Sequence, residues 1–127
     1  MKALTIALAL IAITGCTHRI VDFTIASTKN VELSRMGALE RHPIKVEGKD
    51  TKHIVVVIPT GTPSVEEAMD QAVESVPGGV AMVDGVVSSS WWYIPYIFGA
   101  QTMSVEGTVL VDPDIANRLP APAVSSN

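Results

Sequence analysis

Ser64-Val65-Glu66-Glu67-Ala68-Met69-Asp70-Gln71-Ala72-Val73-Glu74-Ser75, SVEEAMDQAVES, is the stretch that decides the fold. Val65, Ala68, Met69, Ala72 and Val73, followed by Val76, recur at helical spacing and draw one apolar stripe. Ser64 suits the N-cap, and Glu67 three residues on completes a capping box. Glu66 and Glu67 also suit the positive end of a helix. Pro77-Gly78-Gly79 then stops it. Around this helix the chain reads mostly as strands. The expected class is therefore α+β: a mainly antiparallel sheet of about four to six strands, with one helix (about residues 64–75) packed on one face.

Working back from the helix, Pro59-Thr60-Gly61-Thr62-Pro63 joins it to Ile54-Val55-Val56-Val57-Ile58. That continuous apolar run reads as a central strand covered on both faces. It forms one arm of an expected hairpin, with Thr51–Ile58 and Ile44–Glu47 as arms and Gly48-Lys49-Asp50 as the turn. A strand-to-helix connection can hold an anion on free backbone N–H groups. This one lacks P-loop and dinucleotide spacing, loses donors at Pro59 and Pro63, and meets Glu66 and Glu67, so it reads as a plain connection. Further back, residues 29–43 hold a brief strand or a loop, punctuated by Gly37 and Pro43, with Asn30 able to cap a turn. Residues 20–27 alternate as a strand.

Working forward, Gly79–Ser90 reads as a strand with a break at Asp84-Gly85. Trp91-Trp92-Tyr93-Ile94-Pro95-Tyr96-Ile97-Phe98 follows and holds five of the six aromatic residues of the chain. In a strand, Trp91, Tyr93, Pro95 and Ile97 share one face and Trp92, Ile94, Tyr96 and Phe98 the other. Pro95 cannot donate to a ladder, which points to an edge strand or a bulge. One face can fill the core. The other either is buried by the helix and tail or serves as a contact surface. Trp91, Trp92, Tyr93, Tyr96 and Phe98 are therefore the candidate contacts to a protein partner or to lipid headgroups. A hairpin turn is expected at Phe98-Gly99-Ala100-Gln101, a return arm at Thr102–Val111 with a bulge at Gly107, and a mobile tail over 113–127, most clearly after Leu119.

With 127 residues the chain suits one domain, expected over 20–112. The net charge of −4 is unevenly placed, with seven Lys/Arg against five Asp/Glu over 18–53 and one against eight over 54–127. That balance argues against nucleic acid as a partner. His18, His42 and His53 lack metal-ligand spacing, and "DPD" at 112–114 is not a calcium loop. Ser88, Ser89 and Ser90 have no nucleophile-elbow context. No enzyme and no metal or other cofactor is expected.

The N-terminus says most about function. Lys2 precedes an apolar run over Ala3–Ile13, too short to span a bilayer and of the length of a signal-peptide core. Ile13-Thr14-Gly15-Cys16 then resembles the lipobox of bacterial lipoprotein precursors: an aliphatic residue, two small residues and a cysteine. The resemblance covers residues 1–16 alone. It implies cleavage between Gly15 and Cys16, a diacylglycerol on the Cys16 sulfur, and an acyl chain such as palmitate on the new amino group. It implies a signal peptide over 1–15, a lipidated tether over 16–19, and a stable membrane anchor, since two or more chains suffice. Thr17, where the enterobacterial sorting pattern places aspartate for inner-membrane retention, implies the outer membrane in a Gram-negative cell. A lone cysteine can form no disulfide within the chain. The expected function is that of a small, non-enzymatic envelope lipoprotein with a structural or protein-docking role. The alternative is an extracytoplasmic ligand-binding, sensing or exclusion module.

Overall fold

The computed structural model describes residues 15–119. The expected signal segment up to residue 14, and the tail from residue 120, lie outside the described residues. Strands β1 (Cys16–Ala26), β2 (Glu40–Val55), β3 (Ile58–Pro59), β4 (Gly79–Ile94) and β5 (Phe98–Val111) form one sheet in the order β1-β4-β5-β2-β3. Every neighbouring pair is antiparallel, and the sheet curls into a half-barrel. A 3-10 helix (Leu33–Ala38), helix α1 (Val65–Glu74) and a short helix α2 (Pro113–Ala116) complete the chain.

Helix α1 starts and stops where its sequence places it. Ser64 is the N-cap, but its Oγ accepts from the Glu66 N–H at 3.1 Å, so the cap closes through the Glu66 backbone and not through Glu67. Ala68, Met69, Ala72, Val73 and Val76 are all buried, in one cluster with Met82 and Val87 of β4 and Val105 and Val109 of β5. Each Val or Met so buried contributes roughly 1.5–3 kcal/mol. Polar contacts hold the helix to β2. The Ser64 N–H donates to Asp50 Oδ2 at 2.8 Å, and the Lys49 N–H donates to Gln71 Oε1 at 2.8 Å. The Ser64 N–H, and next Lys52 with its Nζ 3.0 Å from Oδ1, hold the Asp50 carboxyl below its ordinary value.

The break expected at Asp84-Gly85 is a bulge that makes this cluster possible. Between Val83 and Val86 β4 advances three residues while β5 advances two, from Thr108 to Glu106, and Asp84 takes φ 51. The extra residue reverses the alternation of side chains. Met82, opposite Val109, and Val87, opposite Val105, thus reach the same face. The bulge expected at Gly107 therefore lies on β4. A smaller cluster of Ala81, Val83 and Leu110, packed by Val31 and Leu39, brings the 28–39 segment onto the sheet.

Two expected turns are strand. Gly48-Lys49-Asp50 is no hairpin: β2 pairs with β5 without interruption from Lys45–Thr108 to Val55–Phe98. A Cβ at Gly48 would collide with the Ala68 carbonyl and Ala72, so this glycine lets α1 approach the strand. Phe98-Gly99-Ala100-Gln101 is likewise the start of β5, where Gly99 faces Tyr93. A Cβ there would stand 2.7 Å from both the Trp92 carbonyl and the Tyr93 ring. The real turns lie at Val56-Val57, between β2 and β3, and at Pro95-Tyr96-Ile97, between β4 and β5. The run over 54–58 is accordingly no covered central strand, because Val55 to Ile58 are exposed around a turn. β4 is an inner strand only as far as Trp91: Trp92, Tyr93 and Ile94 pair with β5 and have no β1 partner among the described residues, so the expected edge character holds for that stretch, while Pro95 sits in the turn, where it owes nothing to a ladder.

The ends of the domain differ from expectation as well. Residues 16–19 form no slack tether, since Cys16, Thr17, His18 and Arg19 already pair with Trp91, Ser90, Ser89 and Ser88. The start of the expected tail is also structured. The Asp112 N–H donates to the Gly78 carbonyl at 2.9 Å, and the Asp112 side chain caps α2 by accepting from the Asp114 N–H at 3.0 Å.

Candidate functional site

Cys16 is exposed at the first position of β1, directly opposite Trp91 of β4. Trp91, Trp92 and Tyr93 close β4, Tyr96 forms the turn after it, and Phe98 opens β5. All five aromatic candidates therefore collect at the end of the sheet that carries the cysteine. Strand alternation places Trp91 and Tyr93 on one face and Trp92 with Phe98 on the other, where their rings meet edge to face with centroids 5.6 Å apart. Phe98 also stacks on His53 of β2, at 5.4 Å.

The β2–β3 turn adds the part that sequence reasoning missed. The Val56 N–H donates to the Ile97 carbonyl at 3.2 Å. The Tyr93 hydroxyl donates to the Val56 carbonyl and accepts from the Tyr96 N–H at 3.2 Å. One phenol thus ties both turns into a single tip. The tip is apolar and open to solvent: Val57 is 63%, Ile58 70%, Tyr96 80%, Ile97 65%, Trp91 51% and Trp92 37% exposed. A run of four large apolar residues reads as core, which is why Val55–Ile58 escaped notice. The signal that could have found the tip is the complete lack of Asp, Glu, Lys, Arg and His from Val86 to Val105.

Both turns hold a bulky residue in the left-handed region, Val56 at φ 61 and Tyr96 at φ 60. In the β2–β3 turn the positive φ falls on the first central residue, where glycine is the usual choice. In the β4–β5 turn it follows Pro95, and the Ile97 N–H closes on the Ile94 carbonyl at 3.1 Å, the pattern of a type II turn that favours glycine or asparagine. A β-branched or bulky side chain there costs roughly 1–2 kcal/mol. Local strain of this kind concentrates where a side chain is wanted for something other than folding.

The remaining candidates stay apart. His18, His42 and His53 fall on separate strands or strand segments, and among the described residues no group of three or more His, Cys, Asp or Glu is arranged around a metal position. The depression beside Arg35, between Val31 and Ile115, holds about 120 Å³. That is well under the roughly 300 Å³ at which small-molecule sites begin. A wider groove of about 360 Å³ runs along Arg19, Asp22, Lys45 and Asp84. Three of these four charges are engaged, in the Arg19–Asp22 pair at 2.6 Å and the Arg41–Asp84 pair at 2.8 Å, while Lys45 makes no ion pair among the described residues. Among the described residues no helix is long and apolar enough to cross a membrane.

Comparison with known proteins gives no match: no family model, no curated protein and no solved structure is similar to the chain. The functional reading rests on its own residues.

Proposed function

We propose that the chain is the precursor of a small envelope lipoprotein, anchored through lipid on Cys16, with a structural or docking role and no catalytic one. The observation that carries this reading is the position of the cysteine. Ile13-Thr14-Gly15 precedes it in the order a lipobox requires, and Cys16 stands exposed at the very start of β1. Acyl chains on its sulfur and amino group would meet no protein wall. Two such chains give stable membrane attachment, where one gives only marginal attachment. The mature domain is then a lipid-anchored body of the cell envelope, on the periplasmic or surface face of the outer membrane if the cell is Gram-negative.

On this reading β1 is paired from Cys16 onward, so the domain sits directly on the membrane with no linker between. We also take α1 to lie along one face of the sheet, on the support of the buried cluster its stripe shares with β4 and β5. Docking is favoured over ligand capture because the tip gathers exposed Val, Ile, Tyr and Trp side chains, whereas the Arg35 depression is small, the apolar groove of about 270 Å³ along Ile25, Leu33 and Met36 falls below the roughly 300 Å³ of small-molecule sites, and the wider groove is partly bridged by ion pairs.

Radiolabelled palmitate tests the anchor. The native chain takes up label and fractionates with membranes, and Cys16→Ala loses both. A native chain that takes no label overturns the lipoprotein reading.

A further inference from the structure

We propose that the tip built by the Val55–Ile58 and Pro95–Ile97 turns, with Trp91 and Trp92 behind it, sits in the bilayer interface and fixes the orientation of the anchored domain. The occupant of this apolar end is a lipid surface, entered at the headgroup–acyl boundary. This inference rests on the lipid-anchor reading for what brings the domain to the membrane, and on the tip alone for what happens there.

Two independent observations select lipid, and a third is compatible with it. The first is where the remaining chain joins. The apolar run over 3–13 reaches the described structure at Gly15, where a Cβ would stand 3.5 Å from the Trp92 Cβ, and Cys16 faces Trp91. Whatever attaches the chain to a membrane, acyl chains or the run itself, arrives at the tip and at no other end.

The second is composition. Trp and Tyr prefer the membrane–water boundary, where an apolar ring and a polar edge are both satisfied. Val57, Ile58 and Ile97, which are fully apolar, are more exposed than either tryptophan and lie in or beside the turns past them.

The third is charge along the strands. In the pairing rows just behind the tip, from Cys16–Trp91–Gln101–Lys52 to Arg19–Ser88–Ser104–Lys49, the ionisable strand residues are Lys52, His18, Arg19, Lys49 and one acid, Asp50. Asp50 is nearly buried and is occupied by Lys52 and Ser64. Asp22, Glu47 and Glu106 enter only in rows further back, and Asp84 and Asp112 further still. Lys52, Lys49 and Arg19 are paired with Asp50, Glu47 and Asp22, so the strand rows behind the tip are nearly neutral and set no uncompensated acid against anionic headgroups. The two left-handed residues fit the same picture, since Val56 and Tyr96 hold apolar bulk where folding alone favours glycine or asparagine.

Trp91 and Trp92 are the only tryptophans in the chain, so its emission reports on the tip alone. The test reconstitutes the processed full chain into vesicles of phosphatidylethanolamine and phosphatidylglycerol whose acyl chains are brominated near the headgroup. The native protein loses roughly half or more of its tryptophan emission and shifts it to shorter wavelength, as interfacial indoles do. A Val57→Ser, Ile97→Ser double variant still floats with the vesicles through its lipid but is quenched clearly less than the native protein, because Cys16 alone holds Trp91 near the surface without entry of the tip. Both positions are solvent-exposed, so circular dichroism of this variant should match the native spectrum. Native protein that floats with vesicles yet is unquenched overturns the proposal and leaves the anchor intact, as does a tip covered by a second copy of the chain. If palmitate labelling fails but the Cys16→Ser chain is still quenched, the anchor reading falls and the tip stands.

Discussion

At one end of the sheet Arg35 reaches Asp112 at 3.2 Å and Asp114 at 2.6 Å, Asp112 caps α2, and Lys29 pairs with Glu74 at 3.2 Å. At the other, Val56, Val57, Ile58, Tyr96 and Ile97 meet solvent with no charged residue among them. Both ends must turn the chain between long strands. The first does so with caps, ion pairs and a helix that satisfies its own backbone. The second does so with two tight turns that place bulky side chains at positive φ. The contrast teaches that the apolar tip is not simply the unfinished edge of a small protein. At its other end the same chain sets caps and ion pairs beside exposed Leu33, Ile115 and Leu119, whereas at the tip it holds Val56 and Tyr96 at positive φ with no charged residue among the exposed groups.

The sealed end should respond more strongly to mutation. Asp112→Ala removes the α2 cap, leaves the Asp114 N–H without its acceptor and frees Arg35 from one of two carboxylates. Loss of a cap costs about 1 kcal/mol, and the half-exposed ion pair adds less than that because solvent screens it. A loss of about 2 kcal/mol in urea unfolding is expected at most, with an unchanged denaturant slope. A change within about 0.5 kcal/mol, the size of an ordinary surface substitution, would remove the distinction between the two ends.

Val56→Gly should move stability the other way. Relief of roughly 1–2 kcal/mol of left-handed strain is offset by roughly 0.5–1 kcal/mol of added chain entropy, for a net gain of about 0–1.5 kcal/mol. The hydrogen bonds from Val56 N–H to Ile97 and from Tyr93 to the Val56 carbonyl use backbone atoms and survive the change. A gain in thermal midpoint together with weaker quenching by brominated lipid is the signature of stability given up for contact. A loss of about 1 kcal/mol instead would mean that the valine packs the turn, and the tip would be ordinary structure.

The legibility of the chain divides along the same line. Helix α1 was readable from cap to cap because Ser64, the stripe and Pro77-Gly78-Gly79 each carry a local physical signal. So was the break at Asp84-Gly85, a dipeptide that tolerates positive φ. Gly48 and Gly99 misled because glycine marks close approach as readily as it marks a turn, and only the packing of α1 and Tyr93 tells the two apart. The run over 54–58 misled because hydrophobicity is a one-way guide to burial: much of a folded surface is apolar, and a tight turn at Val56-Val57 leaves its valines exposed. The aromatic cluster was visible as a cluster. The inner place of its strand as far as Trp91 was not, since strand order is a property of the whole sheet and leaves no mark on eight residues.

The smallest expected effect is the most informative about the tip. In Val57→Ser, Ile97→Ser, two exposed side chains lose apolar surface that folding never buried, so stability should stay within about 0.5 kcal/mol of native. The same change at Val105 and Val109, both fully buried, would remove about 1.5–3 kcal/mol for each side chain. Similar apolar content, with the tip pair the larger by one methylene, thus gives unequal stability, and the inequality follows from burial. If the tip variant instead loses several kcal/mol, Val57 and Ile97 are held against the protein in solution and the turns are closed onto the sheet. If it loses nothing while its tryptophans leave the lipid, the free energy of those side chains is realised only at the membrane.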